Sequence, residues 1–333
     1  MRKIRIAQIG LNECSHGKYI WQSLLKQSDL FEVVGFALPE NERERMPEKV
    51  KCFDGYREMT VEEILSDPTI EAVAVETEEI YLTKYATLVA KAGKHIHMEK
   101  PGGTDLAAFE AMIQAAKESG IVFHTGYMYR YNPYVQELLE QVKNGELGEI
   151  TCVEAQMNCW HKPNVRKWLE TLPGGMMFWL GCHLIDLILL IQGTPKRILP
   201  LNKVSAVGGY TGEDFGFAAL EYEHGWSFAK TTSVERGGFL RRQLVVCGSK
   251  ATVELNPLEK YVDGELLVAG RKICTSEGWN VQEPYTECEK VDRYDSMMAA
   301  FASYVRGEKQ NPFTLDYELT LYKTVLECCK KGE

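Results

Sequence analysis

Three things are missing from this 333-residue chain, and each absence narrows what it can be. No Cys-x-x-Cys pair occurs among its ten cysteines, and Cys328 and Cys329 are adjacent, so the two cannot readily bond to each other. Cys152, Cys182 and Cys247 sit inside apolar runs, where a thiol behaves as a small hydrophobe in a reducing compartment. No apolar stretch is long enough to cross a bilayer: the longest, 184–191, is short and carries Asp186. Residues 1–5 lead straight into a strand without the apolar core of a signal peptide, so a cytoplasmic location is expected. Basic residues are not in excess. A net charge of −9 argues against a nucleic-acid or anionic-membrane surface, either of which needs a basic face. His16, His95, His97, His124, His161 and His224 are scattered over several predicted elements, and no metal site is expected.

What is present is ordinary globular composition, 45% hydrophobic and 26% charged, at a length that allows two domains. Apolar runs at 4–9, 31–37, 72–75, 95–98 and 121–124 alternate with helical stretches at about 17–27, from Thr60, up to Gly93 and over 104–120. Thr60 and Glu63 form a capping box, and 39–51 is charged and irregular. Such alternation with short connections predicts an α/β fold with a parallel, doubly wound sheet. After Gly126 the pattern changes. Asn132-Pro133 starts a helix that runs to about residue 143. Strand-like runs follow at 150–157, 204–210, 215–222, 226–234, 242–247 and 251–255, interrupted by a helix over 176–192, and the tail is helical over 294–305 and 315–330. Short turns between these strands predict a C-terminal α+β domain with an open, largely antiparallel mixed sheet. The expected domains are 1–124, binding a dinucleotide, and 125–333, binding substrate and mediating oligomerisation, with the last helix able to pack back on the first domain.

Four motifs carry chemistry. Gly10, Leu11, Asn12 and Ser15 follow the first strand, where a G-x-G-x-x-G turn would let a pyrophosphate approach a helix N-terminus. Only Gly10 matches; Asn12 and Ser15 hold the other glycine places, and a purely structural turn is an equal reading. At the end of the second strand, where an acid would bind ribose hydroxyls, stands Leu38, with Glu40 two residues on. Arg43 and Arg45 are read as solvated rather than as a 2′-phosphate clamp. Glu99-Lys100-Pro101 ends the fourth strand, which aims the lysine into the crevice where open α/β sheets bind ligands. His183 and Asp186 lie three apart on an apolar helix, so Asp186 is positioned to orient the imidazole, although a lone histidine there is more often core.

The order of these motifs, with Gly93-Lys94-His95, the segment Gly126 to Pro133, Gly145 to Ile150, Trp168, Gly174-Gly175 and Gly181-x-His183-x-x-Asp186, resembles the glucose–fructose oxidoreductase / inositol dehydrogenase (Gfo/Idh/MocA) family over nearly the whole chain. The resemblance implies a Rossmann domain followed by an α/β domain. It also implies NAD- or NADP-dependent oxidation or reduction of a sugar, polyol or related compound. Lys100 and His183 fall on the family's catalytic positions. His183 is then the base for a hydroxyl proton, and Lys100 steadies the developing alkoxide. Cofactor contacts are expected at Gly10, Leu11, Asn12, Ser15, Leu38, Thr77, Glu99, Lys100 and Pro101. Tyr127, Arg130, Trp160, Trp168 and Trp179 are candidates for binding substrate, with Trp168 equally readable as core and Arg130 as a structural ion pair. A homo-dimer or homo-tetramer is expected by the same likeness.

The departures are specific. Trp179 stands where many members have an aspartate one turn before the histidine. The usual Thr-Pro-Asn-like loop reads Thr77-Glu78-Glu79, placing two carboxylates that would repel a pyrophosphate unless they point away. These departures keep two alternatives open. One is a redox-neutral, NAD-assisted epimerase or lyase; the other is a binding or regulatory protein that no longer uses a cofactor.

Overall fold

The first apolar runs assemble as their periodicity dictates. In the computed structural model, which describes residues 2–264, 266–279 and 283–331, strands β1 (Ile4–Ile9), β2 (Phe31–Ala37), β3 (Ala72–Val75), β4 (His95–Met98) and β5 (Phe123–Thr125) form one sheet in the order β2-β1-β3-β4-β5, every pairing parallel. All four residues of β3 are buried, the continuous hydrophobic pattern of a strand covered on both faces. The crossovers are α1 (Gly17–Lys26), α2 (Val61–Ser66), α3 (Leu82–Lys91) and α4 (Leu106–Ser119). The capping box is present: Thr60 Oγ1 accepts from the Glu63 amide at 3.0 Å, and Glu63 accepts from the Thr60 amide at 2.7 Å. Asp105 caps α4 through the Ala108 amide. The stretch 39–51 is more ordered than its charge suggests. Short helical turns at Glu42–Arg45 and Pro47–Val50 place Met46 and Val50 in a core cluster with Leu11, Trp21, Phe36 and Phe53.

The chain divides into two compact units, Met1–Tyr127 with Tyr294–Tyr322, and Met128–Arg293 with Lys323–Glu333. The first unit is completed from far along the chain by α8 (Asp295–Val305) and the start of α9 (Leu315–Cys328). Phe301 stacks on His124 with centroids 5.3 Å apart, and Thr125 Oγ1 donates to Glu318 at 2.8 Å.

The second unit opens with α5 (Pro133–Lys143), capped by Asn132, whose Oδ1 accepts from the Tyr134 and Val135 amides. Its eight-stranded sheet has the order β15-β14-β11-β10-β6-β9-β8-β7, with only β6 and β9 parallel. The strands are β6 (Ile150–Asn158), β7 (Arg197–Pro200), β8 (Phe215–Tyr222), β9 (Gly225–Thr232), β10 (Gln243–Gly248), β11 (Thr252–Leu255), β14 (Gly270–Cys274) and β15 (Thr286–Glu287). Two further strands, β12 (Lys260–Asp263) and β13 (Leu266–Val268), pair with each other. The helices here are α6 (Pro163–Leu169) and α7 (Cys182–Gln192).

One sequence expectation fails in this unit, and one is met with a local change of winding. The strand predicted over 204–210 is a loop ending in a 3₁₀ turn at Val207–Gly209, because Ala206, Gly208 and Gly209 all take positive φ and cannot continue a pleat. The strand on that side is Arg197–Pro200, four residues that end in a proline and are too short to read as one. The helix predicted over 176–192 is present, with its first part, Met177–Gly181, wound as a π turn before α7 begins. One extra residue per turn rotates Trp179 relative to His183, so i, i+4 counting across this segment misplaces the two faces.

Candidate active site

Gly10 ends β1 with φ +83°, and a Cβ there would stand 2.3 Å from Thr77 Cγ2, so only glycine fits beneath the β3 loop. The turn that follows is held by its own polar groups. Asn12 Oδ1 accepts from the Cys14 and Ser15 amides at 2.8 and 2.9 Å, and Glu78 Oε1 accepts from the Glu13 amide at 2.9 Å. Asn12 Nδ2 donates to Glu79 Oε2 at 2.8 Å, and Ser15 Oγ donates to Glu79 Oε1 at 3.1 Å. Lys49 Nζ donates to the Asn12 and Glu13 carbonyls, and Arg45 pairs with Glu78 at 3.3 Å. The two carboxylates therefore point into the turn. Repulsion is avoided by the amides and cations around them.

Glu79 is 1% exposed. Burial raises its carboxyl to about 7; Lys100 pulls it down and Glu78 pushes it up, as does any negative neighbour of a carboxylate. Burial, followed by the nearby carboxylates of Glu13, Glu79 and Glu78, pushes the Cys14 thiol up to about 12, which makes it a poor nucleophile.

Lys100 ends β4 at 1% exposure, its Nζ 3.9 Å from Glu99 Oε1, and Pro101 follows through a cis peptide. Glu99 Oε1 also accepts from the Lys100 amide at 3.0 Å. Behind the lysine lies a group of buried titratable side chains that sequence reasoning missed. Glu76 is fully buried, both its oxygens lack a hydrogen-bond partner among the described residues, and Oε1 is 3.5 Å from His97 Nε2. Burial, then the Glu99 charge, holds the Glu76 carboxyl well above its ordinary range. His97 Nδ1 meets His124 Nδ1 at 2.7 Å, and burial holds His97 down at about 3. The available signal was Glu76-x-Glu78-Glu79, three acids in four positions immediately after an apolar strand.

The remaining predicted contacts in this unit are mostly in the interior. The Leu11 side chain belongs to the core cluster and Leu38 packs against it, which leaves their backbones for a ligand. Leu38 also lines an open cleft of about 450 Å³ with Pro39, Glu58, Met59 and Thr60. Glu40 cannot serve as a free ribose acid, since it accepts from Lys84 Nζ at 2.7 Å and Tyr85 Oη at 2.5 Å. Tyr127 is buried, and Thr77 packs on Gly10.

In the second unit His183 lies on α7 at 2% exposure with the Tyr129 ring edge-on at 5.3 Å. Asp186, three residues after His183, forms a bidentate pair with Arg130: Nε to Oδ2 at 2.9 Å and Nη2 to Oδ1 at 2.8 Å, both residues buried. The planar fork of arginine matches a carboxylate better than a ring nitrogen does. Arg130 thus forms the ion pair that the sequence also allowed. Tyr129 donates to Glu259 at 2.5 Å, and Glu259 pairs with Arg242 and Arg293. This network fixes the Met128–Tyr131 turn under His183. Trp179 packs between Trp168, edge-on at 5.1 Å, and His161 at 5.0 Å. Burial, then Arg242, lowers His161 to about 4. Trp160 is 45% exposed and carries the Arg236 guanidinium over its ring at 4.1 Å.

A glycine-turned parallel sheet with a buried lysine at the end of its fourth strand, followed by a mixed sheet behind a histidine helix, defines a two-part Rossmann oxidoreductase. The chain belongs to the Gfo/Idh/MocA family. Residues 4–127 match its oxidoreductase domain of NAD-binding Rossmann fold, and residues 135–254 match its C-terminal domain. Trans-1,2-dihydrobenzene-1,2-diol dehydrogenase of Bos taurus is 28% identical over 61% of this chain and 62% of its own length. The 1,5-anhydro-D-fructose reductase of Ensifer adhaerens is 22% identical over 75% of this chain and 74% of its own. The fold is shared with aldose-aldose oxidoreductase of Caulobacter crescentus, at a TM-score of 0.78 and 17% identity over 97% of this chain and 96% of that one. The protein is thus an NAD(P)-type Rossmann oxidoreductase with sugar and diol dehydrogenases among its relatives.

The residues fit a nicotinamide dinucleotide unevenly. Gly10 leaves room at the end of β1, and Lys100 and Glu99 stand at the ligand-binding end of β4. The diphosphate turn is different: the Glu13, Cys14 and Ser15 amides, the groups that would face a phosphate, already donate to Glu78 and Asn12. As folded, those amides are turned inward to the protein's own acceptors.

Proposed function

We propose that the chain oxidises or reduces a CH–OH/C=O carbon of a sugar, polyol or related small molecule, using NAD or NADP, with Lys100 and His183 as its catalytic residues. The observation that carries this reading is the buried Lys100 ammonium at the carboxyl end of β4, the end of an open parallel sheet at which ligands bind. Bound nicotinamide supplies the hydride chemistry of the family. Lys100 donates a hydrogen bond to the substrate oxygen, and its charge favours the alkoxide form. His183 takes or returns the hydroxyl proton, imidazole being the side chain suited to that exchange near neutral pH. Glu99 Oε1 stands 3.9 Å from Nζ. Tyr127, Trp160, Trp168 and Trp179 are the candidates for packing on a sugar's apolar face, with Arg130 for its polar groups. The ten free cysteines suit a reducing cytoplasm, and a homo-dimer or homo-tetramer is the expected assembly.

The test is a panel of sugars, inositols and vicinal diols with NAD and NADP, read by reduced-nicotinamide absorbance, comparing wild type with Lys100→Met and His183→Asn. Turnover in the wild type, lost at least a thousandfold in Lys100→Met with an unchanged circular dichroism spectrum, is expected. Full activity in Lys100→Met would remove the lysine from the mechanism.

A further inference from the structure

The turn after β1 poses a question of charge. In a dinucleotide site its amides and the start of α1 receive a diphosphate carrying two negative charges. Here two side-chain anions from the β3–α3 loop have taken that position. Glu78 Oε1 holds the Glu13 amide at 2.9 Å, while Glu79 receives Asn12 Nδ2 at 2.8 Å and Ser15 Oγ at 3.1 Å. Both carboxylates are buried. The contacts join residues some 65 positions apart in sequence, so local turn propensity does not explain them. Cations reinforce the arrangement: Arg45 pairs with Glu78, and Lys49 reaches the carbonyls of Asn12 and Glu13.

We infer that Glu78 and Glu79 act as a built-in anion on the diphosphate turn, so that a dinucleotide binds only by displacing them, and that this displacement sets the affinity of the chain for its cofactor. The inference rests on the proposed use of NAD(P). It names the residues that would make cofactor capture weak and conditional, since like charges in a buried setting repel far more strongly than in water.

A pH dependence follows. The charged and titratable groups facing Glu79 are Glu78 and Glu76 on its own loop, Cys14 in the turn and Lys100 at the end of β4; Arg45 and Lys49 act on the turn and on Glu78 from the segment after β2. Burial above all, opposed by Lys100 and reinforced by Glu78, leaves Glu79 titrating at about 7. Below that point it is neutral and still able to hydrogen-bond; above it, it is a second fixed anion against the diphosphate. Cofactor affinity therefore falls as pH rises through 7.

The experiment is a direct titration with NADH, followed by nicotinamide fluorescence and calorimetry, from pH 6 to pH 8.5, on wild type, Glu79→Gln and Glu78→Gln/Glu79→Gln. NADH is the probe because its diphosphate keeps its charge across that range. The expected result is a wild-type Kd that rises several-fold between pH 6 and pH 8.5, and a double variant that binds at least tenfold tighter at pH 8.5 with a nearly flat profile. Affinities of wild type and double variant within twofold of each other at every pH overturn the inference while leaving the proposed function standing. Absence of NADH and NADPH binding at millimolar concentration in both proteins overturns the two together. Should the double variant not fold, the wild-type profile decides alone: a Kd independent of pH is fatal to the inference.

Discussion

Replacing Asp186 with asparagine removes one charge from the buried pair with Arg130 while keeping its shape. Both partners are interior, at 1% and 2% exposure, and the guanidinium is held by two bonds of 2.8 and 2.9 Å. Without the carboxylate, Arg130 remains an interior cation on the turn that carries Tyr129, with no water to solvate it. Breaking one side of such a pair costs about 3–5 kcal/mol. For a unit of this size each kcal/mol moves the midpoint by roughly 2–4 °C, which gives a fall of roughly 6–20 °C; because asparagine still accepts one hydrogen bond, the lower half of that range is expected. Differential scanning calorimetry is the assay, since a chain of two units can melt in more than one step. The double substitution Arg130→Met/Asp186→Leu removes both charges and should recover most of the loss, as apolar replacement of a whole buried pair is often neutral. A midpoint within about 2 °C of wild type for Asp186→Asn, or a double variant no better than the single one, would refute the reasoning.

Glu79→Gln should stabilise the protein in a pH-dependent way. The folded carboxyl titrates near 7 and an ordinary one near 4.5, so the native state binds the proton more tightly; the contribution of this group to stability is fully present below 4.5 and is lost as pH rises through 7. The variant should gain up to about 3 kcal/mol over wild type at pH 8 and nothing at pH 4.5, as urea midpoints will show. His97→Gln carries the opposite sign. The imidazole is held near 3 when folded against 6.5 ordinarily, so its cost to the wild type grows as pH falls below 6.5, and a variant that shows no relative gain at pH 5 would contradict the assignment. Gly10→Ala forces a side chain into a positive φ and onto Thr77, and should cost more than about 1 kcal/mol in urea unfolding; a neutral result would mean that the turn is free to rearrange. Glu259→Gln should destabilise the second unit and release the Tyr129 ring from His183, seen as a shifted His183 resonance by NMR.

The parallel sheet was legible because short strand-like runs, among them the wholly apolar Ala72–Val75, alternate with helical stretches over the first 125 residues. The mixed sheet was legible from its alternation, except at 204–210, where the hydrophobic spacing of a strand sits on a backbone that two glycines turn aside. Lys100 and His183 were found from motif order. Their surroundings were not, for a physical reason: Glu76, His97 and His124 meet through sheet pairing, and Arg130 and Asp186 through the packing of a turn on a helix, neither of which leaves a periodic trace. The carboxylates of Glu78 and Glu79 were visible in the sequence, but the donors that make them tolerable, Asn12, Ser15 and the Glu13 amide, lie some 65 residues away.

The sharing of α9 bears on how this protein is made. Its first 127 residues leave the ribosome without Phe301 to cover His124 or Glu318 to receive Thr125, because residues 294–322 complete that unit. At translation speeds of 5–20 residues per second, the missing segment arrives on the order of 10–40 s later. During that interval the nascent sheet must stand with one flank open while the whole intervening unit is synthesised. A fragment cut after Tyr127 would be fixed in that unfinished condition, and any chimera that exchanges the nucleotide-binding part has to carry the late segment with it.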